Sequence, residues 1–485
     1  MKNPFPIRQL KSLNLTFDEH GSAYSNNYAD IYFQPGIGLD EKKHVFLKGN
    51  NLPENWLNKP HFSIAETGFG TGLNFLNTLK LWHETTQSFQ HLDYISCELH
   101  PFNIQQLKQA LSQFAELEIY TRELISQYPK FLISGTHRIN FTKHNVTLTL
   151  ILADCIDAFE NSNDKIDAWF LDGFGPSKNP EMWSHRLFKA TANLSHTGTT
   201  ASTFTVARAI RDGLSAVGFN ITKAAGFGQK REMLKAQFCN ENCMNEKQPW
   251  AQTFKATSTE SIIILGAGIA GLTLAEKLQK AGKKVTLIDR QKQPCLETSG
   301  NPQAMVMPSF DLNDSPESRF YLSAFLYAIR YYSDEYFHAD GVLNLAFTDK
   351  QKNWQYTLLS RFDLPKDLAR IVDNGLLFPS AGWLDTQAHA LSIYAQIDNY
   401  IQADIQSMGF NDQHWQLVSD DGKIYKGECL ILANGINAKK LLPDYKLPTT
   451  AKHGEISYFD SNHIDSQISN CKHVLLNKGY ITPSW

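Results

Sequence analysis

SIIILGAGIAGLTLAEKLQKAGKKVTLIDR, residues 261–290, reads as a complete opening βαβ unit. Ile262–Leu265 is a short apolar run suited to a buried parallel strand. Gly266, Gly268 and Gly271 follow with G-x-G-x-x-G spacing, with Ala267, Ile269 and Ala270 between them. The first glycine permits a tight turn, the second lets backbone approach a pyrophosphate, and the third lets helix and strand pack closely. Leu274, Ala275, Leu278 and Ala281 then share one helical face. Val285–Ile288 makes the second strand, closed by Asp289 and Arg290, and Asp289 stands where an acid accepts from a ribose hydroxyl. A glycine triplet alone is weak evidence; one bracketed by strand, helix, strand and acid predicts a dinucleotide-binding Rossmann domain that starts at residue 261.

Some 260 residues precede that strand, enough for a domain of their own. HFSIAETGFGTGLNFLNTLKLW, from His61, is again strand, glycine loop, helix. Here the loop is Glu66-Thr67-Gly68-Phe69-Gly70-Thr71-Gly72, with glycine at every second position and an acid in front. That pattern suits a ligand without a pyrophosphate, such as S-adenosylmethionine, whose methionine part needs close backbone approach and whose ammonium group an acid can receive. The next strand ends at Glu98, placed for ribose hydroxyls, and a later one ends at Asp154, placed for an adenine amino group. Acids at the carboxyl ends of successive strands match the crevice of an open α/β sheet.

The run IDAWFLDGFGPSKNPEMW, residues 166–183, carries an apolar strand into Asp172 and a stiff, aromatic loop. Asp172 is the candidate for meeting a substrate amine, with Trp169, Phe174, Pro176 and Lys178 around it. Alone, an aspartate there would read as a turn or cap residue. Lys178, Arg208, Arg211, Lys230 and Arg231 form either a phosphate-contacting patch or solvated surface charge.

Length and composition are consistent with this division. The 485 residues predict two to four domains, and 42% hydrophobic with 20% charged residues is ordinary for a globular protein. A net charge of −3 announces no nucleic-acid partner by bulk charge; one would need a local basic patch. No run reaches membrane-spanning length, and the start lacks a signal-peptide apolar region. Seven sparse cysteines point to a reducing, cytoplasmic setting, and Cys239 and Cys243 lack a second pair with metal spacing, so no metal site is expected.

Residues 1–60 read as an extended or hairpin lead-in, and residues 241–260 as a polar linker between a domain at 1–240 and one at 261–485. Beyond Arg290, SGNPQAMVMP reads as a small-residue loop fit to lie against a flavin ring, and 315–337 as helix. GVLNLAF and GLLFPSAGWLD read as strands of an inserted substrate domain. HWQLVSDDGKIYKGECLILANG gives a hairpin and a strand ending at Asn434-Gly435, and HGEISYF and HVLLNKGYITP give further strands.

Taken jointly, ETGFGTGLNF, WFLDGFGPSKNPEMW, GFGQKREML, the 261–290 unit, SGNPQA and HGEISY resemble the bifunctional tRNA 5-methylaminomethyl-2-thiouridine biosynthesis family, over nearly the whole chain. The resemblance implies an S-adenosylmethionine-dependent, Rossmann-like methyltransferase domain. An FAD domain follows, similar to D-amino-acid oxidase, with a Rossmann core and an inserted α+β substrate domain. It implies action on the wobble uridine of a tRNA anticodon loop: FAD-dependent removal of a carboxymethyl part, then methylation of the amine left behind. It gives Asp172 the catalytic role. Glu66, Gly68, Phe69, Gly70, Gly72, Glu98 and Asp154 would hold S-adenosylmethionine; Gly266, Ala267, Gly268, Ile269, Ala270, Gly271, Asp289 and Arg290 would hold FAD. SGNPQA carries Ala304 where the family tends to have glycine. The resembled oxidase fold also continues past GYITP, so a shortened flavin domain is expected, in a monomer. An alternative stays open, in which only the methyltransferase half is active; so does a flavin oxidoreductase of small amines whose leading domain merely binds RNA.

Overall fold

The computed structural model describes residues 5–13, 15–17, 23–239, 261–411, 413–452, 454–457 and 471–483. They fall into two compact units. The first holds the chain up to residue 254 together with 310–327 and 360–365; the second holds 255–309, 328–359 and 366–485. The linker expected at 241–260 lies outside the described residues, as does Cys243.

The first unit is built on an eight-stranded sheet. Its strands are β1 (His61–Glu66), β2 (His91–Cys97), β3 (Gly135–Phe141), β4 (Val146–Leu152), β5 (Ile166–Phe170), β6 (Ser195–Thr203), β7 (Phe219–Ala225) and β8 (Glu232–Phe238). They lie in the order β7-β8-β6-β5-β1-β2-β4-β3. The five central strands, β6-β5-β1-β2-β4, are parallel, and β3, β7 and β8 pair antiparallel at the two sides. From β1 the chain goes first to β2 and later returns to β5 on β1's other side. The order therefore reverses between β1 and β5, where an open sheet forms its ligand crevice.

Both faces of this sheet are covered, so its central strands are apolar almost throughout. Phe62, Ile64, Tyr94, Leu148, Ala168 and Phe170 point into one core. Ala65, Ile95, Cys97, Ile151, Trp169 and Leu171 point into the other. Each fully buried aliphatic or aromatic side chain contributes about 1.5–3 kcal/mol of transfer free energy. Helix α1 (Leu73–Thr85) follows the glycine loop and buries Phe75, Leu76, Leu79 and Trp82.

The lead-in differs from its sequence reading. Short strands at Leu15–Phe17, Ala23–Ser25 and Asp30–Phe33 form an antiparallel sheet, but residues 38–50 are helical, passing from α through π to 3-10 turns. The reason is packing: Leu39, Val45, Phe46 and Leu47 are buried against the sheet. Asn50 ties the end of this segment down, its side-chain amide lying 2.9 Å from the Phe46 carbonyl, 3.2 Å from that of Trp169 and 2.7 Å from Ser202 Oγ. Gly49 permits that approach, since a Cβ there would stand 2.8 Å from Ser202 Cβ. Strands β3 and β8 and the helices Ile104–Leu111 and Glu118–Gln127 also went unread.

In the second unit β9 (Ser261–Leu265), β10 (Lys284–Asp289), β11 (Tyr400–Gln402) and β12 (Cys429–Leu432) form a parallel sheet ordered β11-β10-β9-β12. Helix α2 (Ile269–Lys280) crosses from β9 to β10. The remaining strands form three further sheets. Gln303–Val306 and Phe337–His338 flank Gly382–Asp385. Five strands run from Arg370–Val372 through Gly375–Phe378, Val342–Leu345 and Val474–Leu476 to Tyr480–Ile481. Ile405–Asn411, His414–Ser419 and Ile424–Gly427 form a meander. Part of SGNPQAMVMP, read as loop, is thus a strand, held by pairing Ala304 to Leu384. Within HGEISYF the described residues 454–457 form no strand.

Candidate functional site

The end of β1 begins the first site. The turn after Glu66 is fixed by backbone bonds: the Thr67 amide donates to the Phe170 carbonyl at 3.2 Å, and the Phe69 amide to that of Cys97 at 2.8 Å. The loop is thereby pinned to β5 and β2, on either side of β1. Gly70 and Gly72 hold φ of 53° and 78°, a left-handed backbone that glycine adopts without strain. A Cβ on Gly72 would press the Phe69 ring at 2.8 Å.

Above this loop lies a cavity of about 550 Å³. Gly68, Phe69, Gly70, Glu98, Asp154, Asp172 and Phe174 line it, so seven residues singled out in the sequence share one wall system. Glu98 accepts from the backbone amides of Gly70 and His100, both at 2.8 Å. Asp154 Oδ1 caps the helix Cys155–Glu160, accepting from the Ile156 amide at 2.9 Å and the Asp157 amide at 3.3 Å. Phe174 stacks on Tyr28, ring centroids 4.4 Å apart and planes at 20°, with Tyr32 edge-on at 5.2 Å.

Asp172 is 8% exposed. Its Oδ1 accepts from the Gly173 amide at 2.9 Å, and its Oδ2 accepts from Asn74 Nδ2 at 2.8 Å. Oδ2 also forms an ion pair with Lys42 Nζ, from the helical segment in the lead-in. Asn74 bridges to a second acid: its Nδ2 lies 2.8 Å from Glu66 Oε1, while Ser96 Oγ donates to Glu66 Oε2 at 2.7 Å. Burial, and then the Asp172 charge, pushes the Glu66 carboxyl up to about 8.

Some sequence expectations need correction here. Glu66 has no exposed surface and does not line the cavity; it sits beneath the loop and holds Asn74 and Ser96. Trp169 is fully buried on the opposite face of β5, edge-on to Phe159 at 4.9 Å, with its indole N–H donating to Ser195 Oγ at 3.1 Å. Strand alternation dictates this: Ala168 and Phe170 face one core and Trp169 the other. Gly72, Pro176 and Lys178 do not line the cavity either, and Lys178 is exposed. Among the five candidate basic residues only Lys230 lines it, paired with Glu41 at 2.9 Å; Arg208 pairs with Asp212 at 3.2 Å. Lys42, Asn74, Tyr28 and Tyr32 are among the wall residues that sequence reasoning missed. Asn74 was within reach, being the second residue of a helix that directly follows the glycine loop.

The second unit has its own crevice, of about 250 Å³, lined by Gly266, Gly268, Asp289, Arg290, Ala433, Asn434 and Gly435 among others. Gly266 sits at φ 107°, and a Cβ there would stand 2.6 Å from the backbone of Ala433 and Asn434. A Cβ on Gly271 would fall 1.8 Å from the Gly266 carbonyl oxygen, so helix and turn touch directly. Asp289 accepts from the Ala267 amide at 2.6 Å and from the Gln291 amide at 2.8 Å. Arg290 pairs with Glu297 at 2.5 Å. Ala267 is fully buried, and it, Ile269, Ala270 and Gly271 shape the turn without lining the crevice.

Both crevices keep acceptors suited to a ligand. Asn74 Oδ1 in the first and Asn434 Oδ1 in the second are buried without a partner, and such atoms cost free energy unless something donates to them. Helix α2 opens at Gly268, which has no side chain to cap it; the Ile269 amide donates to Ser299 Oγ at 3.2 Å, and the positive dipole end faces the crevice that Gly268 lines, where a phosphate would be favoured. S-adenosylmethionine above the first loop and FAD above the second fit these donor sets. Among the described residues no cluster of three or more metal-ligating side chains occurs, and no helix is long and apolar enough to cross a membrane.

Comparison with known proteins gives two family matches, one in each half of the chain. A family model of S-adenosyl-L-methionine-dependent methyltransferases matches residues 115–238, and one of FAD dependent oxidoreductases matches residues 261–485. The tRNA 5-methylaminomethyl-2-thiouridine biosynthesis bifunctional protein MnmC of Magnetococcus marinus is 33% identical over 501 residues, covering 98% of this chain and 74% of that protein. Its counterpart in Marinomonas sp. is 34% identical over 520 residues, covering 98% and 76%. That of Methylobacillus flagellatus is 33% identical over 487 residues, covering 96% and 73%. With a methyltransferase half that takes S-adenosylmethionine and an oxidoreductase half that takes FAD, the chain belongs to the tRNA 5-methylaminomethyl-2-thiouridine biosynthesis bifunctional protein family.

Proposed function

We propose that the chain completes the 5-methylaminomethyl group on the wobble 2-thiouridine of tRNA. The domain at 261–485 removes the carboxymethyl part of a 5-carboxymethylaminomethyl group. The domain at 1–240 then methylates the exposed 5-aminomethyl amine. The observation that carries this reading is the buried Asp172 carboxylate on the wall of the cavity above the Gly68–Gly70 loop. A second nucleotide-type crevice of different glycine spacing lies in the other unit. The reading places the enzyme with its tRNA, in the cytoplasm.

Methyl transfer to an amine is an in-line displacement, in which the protein chiefly supplies alignment. S-adenosylmethionine, held by Gly68, Gly70, Glu98 and Asp154, supplies the electrophilic methyl group. Asp172 draws in the substrate ammonium and then accepts a hydrogen bond from the neutral amine. Phe174 and Tyr28, stacked at 4.4 Å, and Tyr32 desolvate the amine. The wobble base leaves its stack to enter, as single-stranded loop bases can, and these rings offer it a face. In the other domain Gly266, Gly268, Asp289 and the start of α2 hold the cofactor. Bound there, FAD would supply the two-electron oxidising chemistry at the carbon beside the secondary amine, and these residues would supply position.

The test combines purified full chain with labelled S-adenosylmethionine and tRNA carrying 5-aminomethyl-2-thiouridine. Label transfer to the wobble nucleoside, together with a flavin absorbance spectrum, is expected. Failure to label that nucleoside would overturn the methyltransferase assignment; colourless protein would overturn the flavin assignment.

A further inference from the structure

A carboxylate facing an amine poses a problem for methylation. An alkylamine of the lysine type titrates at about 10.4, and an opposite charge within a few ångströms favours its protonated form. Asp172 alone would therefore hold the substrate as ammonium, which has no lone pair to attack with. The structure supplies a counterweight. Lys42 Nζ, 15% exposed at the side chain, is ion-paired to Asp172 Oδ2, and both residues line the cavity. From the proposed methyl-transfer reading, we infer that Lys42 is a positioning residue whose positive charge, shared on Asp172, drives the incoming ammonium to release its proton to water and attack as neutral amine; the N–C bond forms as the sulfonium S–C bond breaks, S-adenosylhomocysteine leaves as the neutral thioether, and the product is the methylated ammonium.

The argument is one of charge balance. With Lys42 in place, Asp172 and its partner form a neutral pair, and a second cation entering beside them meets repulsion as well as attraction. A neighbouring cation is one of the recognised ways an amine is made nucleophilic near neutral pH. Of the other charged groups around the cavity, Glu181 is exposed to solvent and the rest are engaged. Glu41 and Lys230 are paired with each other at 2.9 Å. Asp30 accepts from the Gly175 amide at 3.0 Å, and Glu98 and Asp154 each accept from two backbone amides. Glu66, behind Asn74, is pushed up to about 8 by burial and by Asp172, so at neutral pH it adds little second negative charge. Behind Lys42, Lys43 pairs with Glu116 at 3.0 Å, and the Phe46 ring lies 5.2 Å below the Lys42 ammonium.

Lys42 is held for this role rather than tethered by chance. Its segment is anchored three residues past Val45–Leu47 by Asn50, whose amide reaches the Trp169 carbonyl of β5. Two residues beyond that strand's end stands Asp172. The same bond that seats the lysine segment thus refers it to the strand that delivers the aspartate.

The experiment measures kcat/KM for methyl transfer to tRNA carrying 5-aminomethyl-2-thiouridine against pH, for the full chain and for Lys42→Met and Lys42→Arg, with S-adenosylmethionine affinity in parallel. Removing the charge raises the acceptor amine's pKa, so the acid limb of Lys42→Met moves to higher pH by about one unit or more. That is about a tenfold loss well below the limb, with near-recovery above it. Its kcat falls while KM for tRNA does not rise, and Lys42→Arg returns the limb most of the way. An acid limb that coincides with wild type in Lys42→Met, or a loss equal at every pH, overturns the inference alone. Absence of methyl transfer in the wild-type chain overturns the reading on which it rests as well.

Discussion

The two crevices use the same scaffold element, a strand, a glycine turn and a helix, to different ends. In the first, alternating glycines at 68, 70 and 72 open a cavity of about 550 Å³, and the neighbouring strand β5 delivers Asp172 to its wall. In the second, Gly266, Gly268 and Gly271 bring backbone so close that a side-chain carbon at 271 would overlap the turn's own carbonyl. Its acid, Asp289, spends both oxygens on the amides of Ala267 and Gln291. One crevice therefore carries a buried carboxylate with a lysine partner; the other carries an acid that holds the turn in shape. A methyltransferase needs alignment and charge control at the acceptor. A flavin site draws its chemistry from the cofactor and needs the protein chiefly to grip it.

The sharpest break of that contrast is at Asp172. Asp172→Asn keeps the shape and removes the charge, and we expect methyl transfer to fall about 10²–10⁴-fold with S-adenosylmethionine affinity within a few-fold of wild type. Initial rates of label transfer and equilibrium dialysis would measure the two halves of that statement, and near-normal turnover would refute the assignment. Gly271→Ala is the matching change in the second crevice. Its new carbon has backbone 1.8 Å away, so the variant should lose flavin absorbance while retaining methyl transfer. Loss of both activities would mean that the two sites are not separable.

How much of this was legible in the sequence follows the same contrast. Both glycine loops, the strand-end acids and Asp172 declare themselves because close backbone approach and the crevice rule leave few residue choices. Lys42 and Tyr28 did not, because the lead-in that bears them has no period of its own: residues 38–50 change from α to π to 3-10 turns, and only tertiary packing of Val45, Phe46 and Leu47 decides their conformation. The helix at Ile104–Leu111 was readable, with Asn103 and Gln106 forming a capping box that the hydrophobic pattern alone did not mark. Trp169 was misplaced for a simpler reason. Neighbouring residues on a strand face opposite ways, so closeness in sequence to Asp172 argued for the wrong side of the sheet.

Trp169→Phe turns that correction into a smaller test. It deletes the bond to Ser195 Oγ inside a packed core, which should cost about 1–3 kcal/mol of stability in denaturant unfolding. Methyl-transfer kinetics should stay unchanged below the unfolding transition. A specific loss of kcat would return Trp169 to the substrate wall.

The smallest effect is expected at a residue that lines neither crevice. Burial opposes ionisation of Asp93, but hydrogen bonds with His61 and His91 outweigh it and hold the carboxyl well below its usual range. The bond to Asp93, against desolvation, raises His61 in turn. Stability from Asp93 is present above its unfolded value near 4 and lost as pH falls through the lowered one; stability from His61 is present below about 6.5 and lost as pH rises through the raised one. Melting curves of Asp93→Asn should therefore differ from wild type most between about pH 4 and 6.5, and converge above and below. A gap that widens above pH 8 would contradict the pairing.

The most direct measurement of the whole account is nucleoside analysis of tRNA carrying 5-carboxymethylaminomethyl-2-thiouridine after incubation with Asp172→Asn and S-adenosylmethionine. The account predicts that the carboxymethyl part is removed and that 5-aminomethyl-2-thiouridine accumulates, because the flavin crevice acts and the methyl-transfer crevice does not. Conversion through to 5-methylaminomethyl-2-thiouridine at the wild-type rate would contradict it.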